Sequence, residues 1–221
     1  MLPAPADGSA PGYFGVYPAF VTDIVDQDSL GRIEVRFPFL GADGDRDVRA
    51  WATLCTPYAD GDSGLEILPE VGSQVVVAFE AGNLRRPYIV GCAWNGKAAL
   101  PSDPEQSNDI RLLRSRANSR LEFDDNATSP KITLRTRSGH ELVIDEGGAG
   151  EVTMQHSGGC VVRLTPTSVE IESTLEVSVN ATIVEVTAPI STFSGMLKAQ
   201  TVIADSFVIS PGYTPGVGNI W

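Results

Sequence analysis

From about residue 119 onward the chain is a succession of short alternating strands with no second element to pack on. Written out, they are SRLEFDD, PKITLRT, HELVIDE, GEVTMQH, CVVRLTP and SVEIES, each apolar–polar–apolar and bounded by charged or turn residues. Their first apolar members are Leu121, Ile132, Leu142, Val152, Val162 and Val169, so the step is about ten residues at first and about seven at the end. Period two puts such side chains on one face of each strand. A row of aliphatic residues on one face requires a covering surface. No helix or second strand set follows to supply it. A meander laid on another part of the chain would be one cover, and a single-chain solenoid would need a steadier repeat and a cap. The reading preferred here is that identical ladders from other copies cover one another, wound into a trimeric rod. Burying each aliphatic residue stabilises by roughly 1.5–3 kcal/mol, and left open the strands would invite aggregation.

Composition narrows the function classes. Hydrophobic residues make up 42% and aromatic residues only 7%, and the formal net charge is −12. That balance argues against a nucleic-acid backbone or an anionic membrane as the main partner. From Leu164 to the end the only basic residue is Lys198. Cys55, Cys92 and Cys160 show no CxxC spacing, and their apolar neighbours point to buried free thiols made in a reducing compartment. The start, MLPAPADGSAPGY, has no basic region followed by an apolar core, and no apolar run approaches the ~20 residues of a membrane helix. Synthesis in the cytoplasm is the expectation.

The reading along the chain is all-β. Residues 1–12 form a Pro/Ala/Gly arm. Residues 13–96 suit a small Greek-key barrel of the OB type, with strands Phe14–Val25, Arg32–Phe37, Arg49–Thr56, Gln74–Phe79 and Tyr88–Trp94. Turns are expected at Asp28–Gly31, Gly41–Gly44, Asp60–Gly64, Glu80–Gly82 and Asn95–Gly96. Ile33, Val35 and Phe37 face one way, while Val75, Val76 and Val77 read as a strand buried on both faces. Residues 97–118 are a linker with a brief helical turn at Ile110–Arg114. Residues 119–221 are the ladder and its end. Below Pro166 the alternation through Val169, Ile171, Leu175, Val177, Val179, Ala181 and Ile183 is nearly unbroken, slipping phase at Ile183-Val184. A bulge would explain the slip. One more short strand is expected in the tail.

An ordered set of segments carries a resemblance. GRIEVRFP at Gly31–Pro38 leads to Trp51-Ala52-Thr53-Leu54, then LPEVGSQVVVAF at Leu68–Phe79, RPYIVG at Arg86–Gly91 and Trp94-Asn95-Gly96. This succession resembles the OB domain of phage baseplate spike proteins and of the VgrG spikes of type VI secretion and related contractile injection systems. The ladder is similar to the triple-stranded β-helix of the same family. The resemblance implies a homotrimer with an OB barrel and an intertwined β-helix needle, assembled into a phage tail baseplate or contractile injection particle, and no enzyme. No lysozyme-like domain lies between barrel and ladder, and no hub-like domain precedes the barrel, so the resemblance implies a separate hub protein. Short self-capping spikes of the family hold a metal at the tip through a His-x-His pair. Here His140 and His156 sit mid-ladder, neither with a neighbouring ligand histidine, and are read as turn or outward polar residues. No metal or cofactor is expected. The final residues, with Tyr213, Pro215, Gly216, Gly218, Asn219 and Trp221, then look like a blunt end for a PAAR-type tip protein.

Other chemistry fits less well. Asp124-Asp125 and Asp145-Glu146 could pass for paired carboxylates, but both follow a strand in equivalent places, as turn residues do. No G-x-S-x-G, P-loop, dinucleotide fingerprint or calcium loop is present. Nucleic-acid binding by the barrel would need basic residues interleaved with aromatics, whereas acids outnumber the arginines there. The alternative function is a β-solenoid enzyme or adhesin acting on cell-surface polysaccharide.

Overall fold

In the computed structural model, which describes residues 12–40, 47–210 and 212, the chain divides into two units, Met1–Thr174 and Leu175–Trp221. The arm before residue 12, the expected turn at Gly41–Gly44 and the end residues Tyr213, Pro215, Gly216, Gly218, Asn219 and Trp221 lie outside the described residues.

The first unit begins with a closed barrel. Its strands are β1 (Val16–Asp23), β2 (Arg32–Phe37), β3 (Val48–Leu54), β6 (Gln74–Phe79) and β7 (Pro87–Cys92), and β4 (Ala59–Asp60) and β5 (Ser63–Gly64) form a small separate hairpin between β3 and β6. The order around the barrel is β1-β2-β3-β7-β6, antiparallel throughout except where β3 pairs β7 in parallel. Alternation sets the interior: Ala19, Val21, Ile33, Val35, Phe37, Ala52, Val75, Val77, Phe79 and Ile89 form the core. Phe79 gathers an aromatic cluster at one end, with ring centroids 5.3 Å from Tyr17 and 5.5 Å from Phe37. The β1–β2 turn is built around Asp26. Its carboxylate accepts hydrogen bonds from the Leu30 and Arg32 backbone N–H groups and pairs with the Arg32 guanidinium at 2.8 Å. That guanidinium, foremost, holds the Asp26 carboxyl far below the usual carboxylate range.

Two barrel expectations need correction. β6 is buried on one face only: Val75 and Val77 have no exposed surface, while Val76 is half-buried on the outside, opposite Pro18. A barrel shelters its interior alone, so an apolar run can place one member outward. The three cysteines are free but exposed. Cys55 lies just past β3, Cys92 ends β7 and Cys160 precedes β13 (Val161–Leu164). At such positions the chain leaves the layer, and apolar sequence neighbours no longer imply burial.

The ladder follows as a seven-stranded antiparallel meander, β8 (Ile110–Arg114), β9 (Arg120–Asp124), β10 (Lys131–Arg135), β11 (Glu141–Asp145), β12 (Glu151–Gln155), β13 and β14 (Val169–Glu172), with strands in sequence order. The helical turn expected at Ile110–Arg114 is therefore a strand, pairing β9 from Ile110↔Asp124 to Arg114↔Arg120. A five-residue segment leaves a helix and a strand hard to separate by periodicity, and an available neighbour strand decides it. On one side of the sheet the strands are joined by matching five-residue loops, each closed by a backbone hydrogen bond: Ser115 N–H to Ser119 O, Thr136 N–H to His140 O and His156 N–H to Cys160 O. The fourth loop residue is left-handed each time, Asn118 at φ 63°, Gly139 at 87° and Gly159 at 96°. That conformation suits glycine and asparagine.

The second unit carries no regular strand among its described residues. The alternating sequence beyond Thr174 thus differs from the strands expected of it. A β-segment requires a cross-strand partner to form its ladder of hydrogen bonds, and no strand pairing is formed here among the described residues.

Candidate functional site

Cross-strand register sorts the ladder into two faces. Leu113, Leu121, Leu134, Leu142, Met154, Val162 and Ile171 stand in one row of directly paired residues. Two positions along each strand, Phe123, Ile132, Ile144, Val152, Leu164 and Val169 make a second row on the same face. Arg111, in register with Phe123, is the face's one charged member and pairs with Asp125. The central row of the opposite face is mostly polar, with Leu112, Glu122, Thr133, Val143, Thr153, Arg163 and Glu170 in register and Arg163 bridging to Glu151 and Glu170.

Among the described elements of the first unit none covers the apolar face. Each ladder strand makes its substantial contacts with its ladder neighbours. Leu134 is 50% exposed, Met154 57% and Ile171 60%, whereas the only ladder residue below a tenth is Thr133, on the polar face, at 6%. An uncovered apolar surface of this extent marks an interaction site. Farther along, in the second unit, Leu175 and Met196 are almost wholly exposed.

The barrel has its own asymmetry. Outward positions of β1, β6 and β7, among them Val16, Pro18, Val76, Ala78, Tyr88 and Val90, form a largely apolar wall, with the charged Asp23 at the end of β1. The β2–β3 wall instead presents Arg32, Glu34, Arg36 and Arg49.

The sequence-level site candidates fare differently. The tip residues Tyr213, Pro215, Gly216, Gly218, Asn219 and Trp221 lie outside the described residues. The two histidines, read as separate, are neighbours: the rings of His140 and His156 stack at 4.3 Å between centroids. Residues 136–140 and 156–160 are adjacent loops on the same side of the sheet, and this contact across sixteen positions leaves no trace in spacing. His140 Nδ1 accepts the Ser157 N–H at 3.2 Å and His156 Nδ1 accepts the Gly158 N–H at 2.9 Å, so the His156 ring closes its own turn while the His140 ring ties its loop to the next. Among the described residues no group of three or more His, Cys, Asp or Glu is placed to hold a metal ion. Asp145 accepts the Gly147 N–H and the Ser129 hydroxyl, which hold its carboxyl below the usual range. Its geometry is that of a turn-closing residue. No helix among the described residues is long and apolar enough to cross a membrane.

Comparison with known proteins agrees with the barrel geometry. Residues 17–94 match the family model of the Type VI secretion system/phage-baseplate injector OB domain. The chain is 24% identical over 124 residues to the type VI secretion system spike protein VgrG3 of Vibrio cholerae serotype O1 (El Tor Inaba), covering 53% of this chain and 12% of that protein. It is 23% identical over 124 residues to the actin cross-linking toxin VgrG1 of a Classical Ogawa strain, covering 53% of this chain and 11% of that protein. The chain thus spans only a small part of the relatives it matches. Residues 17–94 are thus similar to the injector OB domain of phage baseplates and type VI secretion systems, and the chain is similar over about half its length to VgrG proteins.

Proposed function

We propose that the chain is the structural spike of a contractile phage tail or contractile injection system, acting as a homotrimer that seats on a baseplate hub and pierces the target cell envelope. The observation that carries this reading is the uncovered apolar face of the ladder. In an isolated chain it leaves a continuous aliphatic surface in water, and in a ring of copies it becomes the interior. Strand length supports three copies. Five residues span about 17 Å, so three such faces around an axis stand about 5 Å from it, half the ~10 Å at which two sheets pack. Four would leave a hollow that aliphatic side chains cannot fill. The largely apolar wall of the barrel supplies a second surface for the hub or for a neighbouring barrel. The end residues Tyr213–Trp221 would dock a PAAR-type tip protein. The work of penetration would come from the contracting machine and the stiffness from the spike, with no catalytic or cofactor role for this chain.

Native mass tests the reading. A chain of 23.5 kDa is expected to run at roughly 70 kDa as a closed trimer. Ile144→Asp, which sets a carboxylate in the middle of the apolar face, is expected to reduce it to the monomer mass. A wild-type chain that is monomeric at micromolar concentration would overturn the proposal.

A further inference from the structure

The two turn sides of the ladder carry opposite charge. On the side of loops 115–119, 136–140 and 156–160 stand Arg114, Arg116, Arg120, Arg135 and Arg137, against Glu141 and Glu172. On the side of loops 125–130, 146–150 and 165–168 stand Asp109, Asp124, Asp125, Asp145, Glu146 and Glu151, against Lys131, so the net charge of the two sides is opposite. The basic side breaks a rule of sheet pairing. Arg114, Arg120 and Arg135 lie directly opposite one another across β8, β9 and β10, where like charges destabilise. They line, with Arg137, a recess of about 300 Å³. Within the chain, Arg120 reaches Glu122 at 3.3 Å, yet its Nε is shielded from solvent with no hydrogen-bond partner. Arg116 reaches the barrel's Glu70 through an exposed pair. Arg114 spends its donors on Asn118 and the Pro101 carbonyl. Arg135 and Arg137 have no ion pair among the described residues, and on the acidic side neither does Glu146.

We propose that the arginine side of one ladder docks against the acidic side of the next, so that each copy's guanidinium row is neutralised by a neighbour's carboxylates. The inference rests on the multimeric reading above and adds the seam to it. Any rotation about an axis along the strand stack, with the apolar faces inward, brings the basic side of each copy to the acidic side of its neighbour. Such a heterologous contact closes into a ring. Rotation also preserves height. The loop bearing Arg137, between β10 and β11, then lies level with the next copy's turns on either side of that height, those of Asp125 and of Asp145-Glu146. The arrangement selects against wrong orientations as well. An inverted neighbour would bring guanidinium rows together or carboxylates together, and like charges across an interface are strongly disfavoured.

Arg137→Glu, Glu146→Arg and the combined swap test the seam, because neither side chain has an ion-pair partner to lose among the described residues. The full chain is purified at low salt, and urea-induced dissociation is followed by native mass. Each single reversal puts like charges into every seam of the ring, so dissociation is expected to be about tenfold faster. The swapped chain is expected to return to within about twofold of wild type. Wild-type rates for either single reversal, or a swap as weak as the weaker single, would overturn the seam. A wild-type chain that is already monomeric would instead overturn the multimeric reading itself.

Discussion

Asp26 shows how much of the barrel hangs on one side chain. Its carboxylate collects two backbone donors beyond its own turn and the Arg32 guanidinium, so it joins the β1–β2 loop to the first residue of β2. The folded carboxyl lies far below its ordinary value of 3.8, so the unfolded state binds the proton more readily. The stabilisation is therefore complete above about pH 5 and declines as pH falls through the ordinary value toward the folded one. Thermal unfolding of wild type and Asp26→Asn across pH checks this. The variant is expected to melt lower at pH 7, and the gap is expected to narrow below about pH 4. A gap unchanged at pH 3 would mean that the loop is held by something other than the charge. At this scale the sequence was legible wherever a side chain serves its own strand, as Ile33, Val35 and Phe37 do. It was opaque where a residue serves another loop: nothing in the spacing of His140 and His156 announces stacked rings. Cysteine burial misled for a related reason, since apolar neighbours in sequence say nothing about a strand end.

At the scale of elements, the ladder's loops repeat one solution. A left-handed fourth residue in each five-residue loop reverses the chain so that the next strand enters in register. Gly139→Ala keeps every hydrogen bond but places a Cβ at φ 87°, with Ser157 Cβ at ordinary contact distance, 3.7 Å. Such a conformation costs about 1–2 kcal/mol for an L-residue, which urea unfolding would register as a lower midpoint. Strands joined by these loops were readable, because alternation and turn residues agree. β8 was not, since Ile110–Arg114 is too short to declare its period and follows the proline-containing stretch LPSDPEQSND. Beyond Thr174 alternation continues without in-chain strands, since pattern specifies which face is apolar and only a neighbour supplies the pairing.

For the whole molecule, barrel and ladder illustrate two ways to satisfy the same chemistry. The barrel closes on itself and needs no partner for its core, whereas the ladder closes in one direction only and leaves a face open. On the proposed assembly, deleting Tyr213–Trp221 is expected to keep the trimer mass and abolish capture of a PAAR-type tip protein. A truncated trimer that still captures it would move the docking site elsewhere. The fold of the barrel was legible because one chain contains all of it, whereas the ladder showed in the sequence as a face with no interior of its own. On the proposed assembly, the crosswise strands have a further consequence. Their hydrogen bonds point along the stack, so a thrust presses donor toward acceptor in every rung at once, while tension would part the terminal rung first and peel the rest in turn. An object layered this way is strong under compression and weak under pulling, which suits a part driven forward once and not drawn back.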